Sequence, residues 1–457
     1  MEDFLKGRTS VGFQIKEQYK ELKSQGHKHG GLFNFMTPFY MPIDLELVRD
    51  ILAKSSKTFI DRGVYYNERD DPLSAHLFNV DGEKWKRLRK YLSPTFTSGK
   101  LKTMFGTLLQ CTDPLIETLS ELADNNTPMD LKEVLARFST DVIGSCAFGL
   151  ECNSFKSPDA EFRKYGRKLF EKNLWEMLQL LFVVSNPDLG RFLKIVTTPK
   201  DTAEFFMKVI KETINYREST NYYRKDMFQL LIELKNKQLE ENKTPLTLDE
   251  IAAQAFVFFV GGFETTSSAT TFLLFQLASH QDIQQKVRDE INVVLKKHNG
   301  KITYDSLADL KYTVQVLDES LRLFPPVTQL LRKCTEDYKI PGTDIVLQKG
   351  SQVFIPLLGI QTDPEYFPEP EKFDPERFSV ENKNIRHFTH IPFGEGPRMC
   401  IGNRFALMQI KALLMVVLRN FKFSVNKNTQ IPIKADPLSI VYCPQSTLWL
   451  DVKKIVS

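Results

Sequence analysis

Apolar residues return every three or four positions through most of the chain, the spacing that places them on one face of an α-helix. This spacing predicts helices over residues 83–92, 99–121, 130–147, 160–182, 201–240, 248–281, 281–298, 306–323 and about 401–420. The run of 248–281 is the longest and opens at Thr247, a residue type that favours helix N-termini. Pro325 and Pro326 end the run of 306–323, because proline cannot donate the backbone hydrogen bond that continues a helix.

Strands occupy a smaller share of the pattern. Residues 31–42 are apolar and aromatic, and residues 337–357 alternate around a turn at Pro341-Gly342. Asp44 is placed to cap a helix through Leu52, and short strands finish the chain. The predicted fold class is therefore mainly α with small β-sheets (α+β). No Pro/Gly/Ser-rich linker or block of charge divides residues 1–457, so we expect one domain.

The segment 361–400 is rich in Pro, Gly and Asp and has little periodicity, which in a compact protein calls for a functional reason. It ends in Phe393-Gly-Glu-Gly-Pro-Arg398-Met-Cys400-Ile-Gly402, directly before a predicted helix. The N–H groups at a helix start and the charge of Arg398 favour a thiolate at Cys400, which can ligate iron. Gly402 would let a flat cofactor approach. A buried structural cysteine is the alternative.

A second unusual segment, Gly261-Gly-Phe-Glu264-Thr265-Thr266, lies in the middle of the longest predicted helix. Each glycine there costs about 1 kcal/mol of helix stability relative to alanine. The glycines also remove side-chain bulk, so that a ligand could lie against the backbone. An acid next to a hydroxyl beside such a surface can relay protons, whereas a close helix–helix crossing is the alternative interpretation.

Composition narrows the possible functions. The net charge of +4 is too small to hold nucleic acid by charge, so we expect no nucleic-acid partner. The six cysteines show no Cys-x-x-Cys spacing and no disulfide framework, which favours a reducing compartment. No run of about 18 apolar residues and no signal peptide is present.

The cysteine segment and the Gly-Gly-x-Glu-Thr segment resemble the haem-binding loop and the oxygen-binding helix of cytochromes P450. The resemblance extends from about residue 31 to the end of the chain, and Gly261 stands where alanine is commoner in the family. It implies the P450 fold, with haem between the long helix and the cysteine loop. It also implies Cys400 as the iron ligand and Glu264 with Thr265 as the oxygen-activating pair.

The resemblance assigns further residues to the haem and its scaffold. Contacts with the haem are implied for Arg62, Trp85, Arg89, Gly261, Arg332, Phe393, Arg398 and Gly402. Trp85 and Arg89 are also i,i+4 neighbours on one predicted helix face. Glu319 and Arg322, with Arg377, resemble the family's buried ion-pair triad, to which we give a structural role. For each arginine alone, a surface cation is the alternative.

Substrate contacts follow from the resemblance alone. They are implied for Phe78, Phe258, Phe263, Thr266, Val327, Leu331 and Leu438. Aromatic and aliphatic residues of this kind imply apolar substrates, and core packing is the competing explanation for each.

The chain looks most like microsomal, xenobiotic-metabolising P450s, and within them like insect family six, through Asp61–Leu73 and Leu92–Gly99. The resemblance implies a monooxygenase of plant toxins and insecticides, with electrons from NADPH through cytochrome P450 reductase and with cytochrome b5 as a further partner. Lys84, Lys86, Arg87 and Lys90 would receive these partners. Two other functions stay open: an isomerase or dehydratase of the same fold that uses no O2, and a non-catalytic haem or ligand carrier.

Such enzymes sit on the cytosolic face of the endoplasmic reticulum, so membrane association and a monomer are expected. The family's N-terminal anchor is missing from this sequence, and we expect a truncated form. Two apolar stretches, Leu178–Val184 and Leu189–Val196, would either dip into a bilayer surface or close a cavity.

Overall fold

Helices make up most of the molecule. The computed structural model describes residues 9–34, 37–157, 159–241, 244–382 and 385–455. In these ranges the helices are α1 (Val11–Ser24), α2 (Leu45–Arg49), α3 (Gly82–Leu92), α4 (Ser98–Gln110), α5 (Asp113–Asp124), α6 (Leu131–Ile143), α7 (Glu161–Phe170), α8 (Leu174–Ser185), α9 (Pro187–Phe192), α10 (Lys200–Thr220), α11 (Met227–Glu240), α12 (Leu248–Ser279), α13 (Gln281–Lys297), α14 (Lys311–Leu323), α15 (Leu357–Gln361) and α16 (Asn403–Asn420).

The strands form three small sheets. They are β1 (His29–Asn34), β2 (Thr37–Pro42), β3 (Met129–Asp130), β4 (Leu330–Lys333), β5 (Tyr338–Lys339), β6 (Val346–Leu347), β7 (Gln352–Ile355), β8 (Phe421–Val425) and β9 (Trp449–Lys454). The first sheet has the order β1-β2-β7-β4, in which β2 and β7 are parallel and the other neighbours antiparallel. The second has the order β3-β9-β8, and the third pairs β5 with β6. The predicted class, mainly α with small sheets, is confirmed.

Several predicted helical runs are interrupted in the structure. The run of 99–121 breaks before Pro114, which lies in the first turn of α5. The run of 160–182 breaks before Asn173, whose side chain caps α8. The run of 201–240 breaks before Asp226, which caps α11 and forms a buried ion pair at 2.6 Å with Arg217 of α10. Apolar spacing does not reveal such breaks, because the apolar face continues on both sides of them.

Two groups of buried apolar side chains form the core. The larger group surrounds α12 and includes residues of most other long helices. The smaller group lies between the first sheet and α1, α2 and α15. Among the described residues, no helix combines the length and the apolar character needed to cross a bilayer.

Helix α12 carries the segment with adjacent glycines. Its start is fixed by a reciprocal cap, in which the Glu250 N–H donates to Thr247 Oγ1 and the Thr247 N–H donates to a Glu250 carboxylate oxygen, each at 3.1 Å. Between residues 251 and 278, surface is open only at Val257, Val260, Gly261, Gly262 and Thr265. A spacing of four residues puts positions 257, 261 and 265 on one side of a helix. The centre of the core therefore contains one accessible helix face.

Candidate active site

The loop before α16 places Cys400 at the beginning of that helix. The Cys400 N–H donates to the Phe393 carbonyl oxygen at 2.9 Å, which closes the loop on itself. The Gly402 N–H donates to the Cys400 sulfur, and Gly402 is the residue that caps α16. The sulfur thus lies where the N–H groups of a helix start favour negative charge.

Gly396 is a geometric requirement of this loop. Its backbone has a φ of +75°, and a Cβ at this position would lie 2.1 Å from the carbonyl oxygen of Leu52. The Gly396 carbonyl oxygen also accepts the N–H of Met399 at 3.0 Å. Any larger residue would have to push the loop away from the π-helical turn of Asp50–Lys54, and the cysteine would move with it.

Cys400 differs from every other cysteine of the chain. The remaining five are buried, whereas the Cys400 side chain is exposed although protein surrounds it on nearly all sides. That combination describes a group on the inner surface of a cavity. Burial raises the pKa of the Cys400 thiol, and the Gly402 N–H and the charges of Arg62 and Arg89 oppose this rise. A metal ion would deprotonate the thiol outright.

The side chain of Arg398, in the loop before α16, is held by carbonyl oxygens and carboxylates. Its Nε donates to the Ile60 carbonyl oxygen at 2.6 Å, and Nη2 donates to that of Val80 at 2.9 Å. Nη2 also lies 3.3 Å from Asp81 Oδ1 and 3.6 Å from Asp61 Oδ1. The charge of Arg398 is therefore compensated by carboxylates of the protein itself.

Arg62 and Arg332 lie beside Arg398 without such compensation. Arg62 donates to the carbonyl oxygens of Phe78 and Arg398 at 3.0 and 2.9 Å, and Arg332 donates to that of Leu331 at 2.8 Å. Neither guanidinium group forms an ion pair with a carboxylate of the described residues. Burial, together with the charge of Arg398, lowers the pKa of both, that of Arg332 to about 10. Buried cations in this arrangement favour an added anion.

Helix α3 contributes the two residues predicted from its i,i+4 spacing. Trp85 is buried, and the Arg398 guanidinium lies 4.1 Å from the centre of its ring, a cation–π contact. Arg89 is half-buried, and its guanidinium group forms no hydrogen bond or ion pair with the described residues, while its charge opposes the rise in the pKa of the Cys400 thiol. Arg89 is thus a third cation, after Arg62 and Arg332, able to meet an anion at this site.

The accessible face of α12 leaves space in which a flat ligand could lie. A Cβ added at Gly261 would meet no atom within 4 Å. Thr265 is half-buried, and its Oγ1 donates to the Gly261 carbonyl oxygen at 2.6 Å, the back-bond expected for this threonine. Glu264 is buried and does not hydrogen-bond to Thr265; it pairs with Lys132 of α6 at 3.3 Å. The acid and the hydroxyl are therefore neighbours in sequence that face different surroundings.

The predicted ion-pair triad is assembled and buried. Arg322 Nε lies 2.7 Å from Glu319 Oε2, and both side chains are completely buried. Arg377 Nε lies 3.4 Å from Glu319 Oε1, which also accepts the N–H of Asp374 at 2.9 Å. Removing one partner of such a buried pair costs about 3–5 kcal/mol, so the triad fixes the irregular segment that leads to Cys400. We retain the structural role for it.

The predicted substrate residues divide into two groups. Phe78 and Val327 are exposed and Leu331 and Leu438 half-buried. Phe258, Phe263 and Thr266 are buried, which agrees with core packing, the alternative explanation for them.

The helix period explains why Phe263 lies in the core, and ring packing accounts for Phe258. Phe263 follows Gly261 by two positions, which turns its side chain by about 200° from the accessible face. Its ring packs on those of Phe259 and Phe170, with centroids 5.6 and 6.0 Å apart. Phe258 packs edge-on against Phe96 at 5.3 Å.

The residues present fit a haem. Cys400 could ligate the iron, the open surface at Gly261 would leave room for a flat group, and Arg62, Arg89 and Arg332 could bind its two carboxylates. Sequence reasoning missed Lys132, Asp61 and Asp81, which complete the charge pairs of Glu264 and Arg398. Their partners lie far away in the chain, so no local signal identifies them.

Comparisons with known proteins agree with this site. The family model for cytochrome P450 matches residues 7–450. Cytochrome P450 6A1 of Musca domestica is 43% identical over 457 positions, covering 99% of this chain and 90% of that protein. Cytochrome P450 6a2 of Drosophila melanogaster is 42% identical over 465 positions, covering 100% of this chain and 92% of that protein. The chain therefore belongs to the cytochrome P450 family and is a haem-dependent monooxygenase that takes its electrons from a reductase.

Proposed function

We propose that this monooxygenase inserts one oxygen atom of O2 into apolar small molecules, among them plant toxins and insecticides, with electrons that originate in NADPH. The proposal is supported by the accessible Cys400 thiol with the uncompensated Arg62 beside it, and by the open surface of α12 at Gly261. The haem, when bound, supplies the activation of O2, which a thiolate ligand promotes.

The chain's own residues perform the remaining tasks. Cys400 holds the iron, while Arg62, Arg89 and Arg332 bind the haem carboxylates. Gly261 leaves room for the ligand. Thr265 passes protons: its hydroxyl, which bonds to the Gly261 carbonyl oxygen, exchanges that bond for one to a water molecule. Glu264 supplies those protons from the buried side of the helix. A positioned acid–base group of this kind contributes about 10²–10⁴-fold in rate.

Apolar specificity follows from the accessible side chains. Phe78, Val327, Leu331 and Leu438 present aromatic and aliphatic surface. The ring of Phe78 is held by the Arg62 guanidinium, 4.0 Å from its centre, so an aromatic surface is fixed close to the arginines that we assign to the haem. Such surfaces favour apolar ligands with few polar groups.

The reaction is tested by isotope incorporation. We expect the protein, reconstituted with haem, reductase and NADPH and given apolar plant toxins or insecticides, to place one ¹⁸O atom from ¹⁸O2 in each product molecule. Product analysis by mass spectrometry gives the result, and the same reaction in H2¹⁸O is the control. Products that form without NADPH or O2 would show an isomerase or dehydratase instead, and binding without turnover would show a carrier.

Electron donors would dock at the basic side of α3, and we propose cytochrome P450 reductase, with cytochrome b5, as the partners. Lys84 pairs with Glu68 at 2.8 Å, Lys86 pairs with Glu83 at 2.6 Å, and Arg87 pairs with Glu250. Lys90 is exposed and forms no ion pair with the described residues. Much of the positive charge of α3 is thus neutralised, and Lys90 is the group most available to an acidic partner.

We therefore expect Lys90→Glu to raise the apparent Michaelis constant for reductase about three- to tenfold at low ionic strength, because charge reversal at an interface rim slows association. Lys86→Glu should have a smaller effect, since Glu83 already neutralises this lysine. Reduction kinetics at low and high salt measure both. The control is Lys237→Glu, at an exposed lysine on α11. Equal effects of Lys90→Glu and Lys237→Glu would contradict docking of the reductase at α3.

A cluster of outward-facing apolar side chains supports membrane association at the cytosolic face of the endoplasmic reticulum. We define it as the outer apolar patch, composed of Leu174, Trp175, Leu189, Phe192, Leu193 and Val196. Trp175 is 75% exposed and Phe192 81%. In the stretch 178–184 the apolar side chains are half-buried or buried, so the outward surface comes from the neighbouring residues instead.

The patch is held in place from beneath. Asp71 Oδ2 accepts the N–H groups of Thr197 and Thr198 at 3.0 and 3.1 Å, and Tyr65 Oη donates to the Ile195 carbonyl oxygen at 2.6 Å. The segment after α9 therefore has a fixed polar underside and an apolar outer side. This arrangement suits a surface that rests at the level of lipid headgroups.

Replacing Trp175 and Phe192 by serine should weaken binding to phospholipid vesicles, each by about tenfold, because an aromatic side chain of this size gains roughly 1.5–3 kcal/mol on burial. Vesicle co-sedimentation of this chain measures the partition. Val293→Ser, an exposed valine on α13, is the matched control. An unchanged partition of the double variant, or an equal loss for Val293→Ser, would contradict a role of the patch.

A further inference from the structure

The side chain of Glu264 is tied to a helix other than its own. Its Oε1 lies 3.3 Å from Nζ of Lys132, in the first turn of α6. The Glu264 side chain is 6% exposed and the Lys132 side chain 36% exposed. The pair therefore connects a carboxylate in the core, one residue before Thr265, with an ammonium group that reaches solvent.

Two other groups lie near the Lys132 ammonium group, the Asp130 carboxylate and a cysteine thiol. The thiol of Cys443, which is buried, lies beside the same ammonium group. The charge of Glu264 and the nearness of Cys443 raise the pKa of Lys132 in spite of its partial burial. Lys132 thus stays charged, and it is the one cation that the described residues place in an ion pair with Glu264.

The directions of the side chains separate two sides of α12. Consecutive residues of a helix point about 100° apart. Thr265 opens to the cavity face with Gly261, whereas Glu264 turns to α6. The ion pair therefore lies on the α6 side of α12 and not on the face of Gly261 and Thr265.

We propose that Lys132 is a positioning residue for proton delivery: it keeps Glu264 ionised between turnovers, so that protons reach the site from the solvent beside α6. The inference rests on the proposed role of Glu264 and Thr265 in the monooxygenase reaction. A hydronium ion of the solvent beside Lys132 gives its proton to the Glu264 carboxylate. The protonated side chain turns away from Lys132 and passes this proton to the Thr265 hydroxyl, which releases its own proton on the side of Gly261.

The physical reason is the cost of an unpaired buried charge. Without Lys132 the carboxylate of Glu264 would be buried alone, and such a group binds a proton and becomes neutral. A neutral acid cannot accept the next proton, so delivery slows. If the ion pair were only structural, replacing Lys132 would lower the stability of the protein. It would not change the amount of product formed per NADPH consumed.

The test compares Lys132→Met, Lys132→Arg, Glu264→Gln and the double variant Lys132→Met/Glu264→Gln in the haem-loaded enzyme. Methionine preserves the length of the lysine stem, and arginine preserves its charge; Lys132→Gln serves as a second neutral variant if the methionine variant does not fold. Lys102→Met is the matched control, since Lys102 pairs with Asp305 at 2.6 Å on the surface. The readouts are product formed per NADPH consumed and the infrared carboxyl bands of the purified proteins.

We expect product per NADPH to fall about tenfold in Lys132→Met and in Glu264→Gln, within the range of general acid–base effects. The double variant should fall no further, Lys132→Arg should stay within about twofold of wild type, and Lys102→Met should not change. In the infrared spectrum, Lys132→Met should gain the band of a protonated carboxyl group, and the double variant should lack it.

Two results overturn the inference and leave the proposed relay intact. One is a Lys132→Met variant with normal coupling while Glu264→Gln is uncoupled, and the other is a double variant whose losses multiply. Normal coupling in Glu264→Gln itself overturns the relay and, with it, the role of Lys132. The infrared band decides independently of turnover, because its absence in Lys132→Met shows that Glu264 does not depend on Lys132 for its charge.

Discussion

Cys400 can serve as a thiolate ligand because its backbone is fixed and positively charged groups lie near its sulfur. Gly396 lets the loop pass under the Leu52 carbonyl oxygen, and the Gly402 N–H reaches the sulfur at the start of α16. Burial alone would keep the thiol protonated, and Arg62 and Arg89 act against burial. A bound metal ion completes that shift, since coordination removes the thiol proton. The buried triad around Glu319 holds the irregular segment that brings the loop to this place.

Charge is distributed over the site according to what each group must bind. Arg398 is satisfied by Asp61 and Asp81 and supports the loop, whereas Arg62 and Arg332 have only carbonyl oxygens and so remain available to the carboxylates of a haem. Helix α12 is closed by packing except for the face at Gly261 and Thr265. Glu264 belongs to a different face of this helix, where it pairs with Lys132 of α6.

Short sequence patterns predicted those features that depend on neighbouring residues. They did not predict contacts between residues that lie far apart in the chain. The cysteine loop, the glycine pair and the Trp85–Arg89 spacing are short patterns, and the structure places Arg89 close to the Cys400 thiol and leaves an open surface at Gly261. The Lys132–Glu264 pair joins residues far apart in the chain, so no spacing could reveal it. The strand Leu330–Lys333 is too short for a visible alternation. Phe263 lies two residues beyond Gly261, so the helix period turns its side chain to the core, whereas the resemblance implies a substrate contact for it.

The most direct test of the central claim is the absorption spectrum of the reduced, CO-bound protein. The account predicts a red-shifted Soret band of the kind that thiolate-ligated haem gives, and the loss of this band together with haem in Cys400→Ala. Cys334→Ala, which removes a buried cysteine elsewhere, should keep both. A Cys400→Ala protein that retained its haem and the red-shifted band would contradict the account.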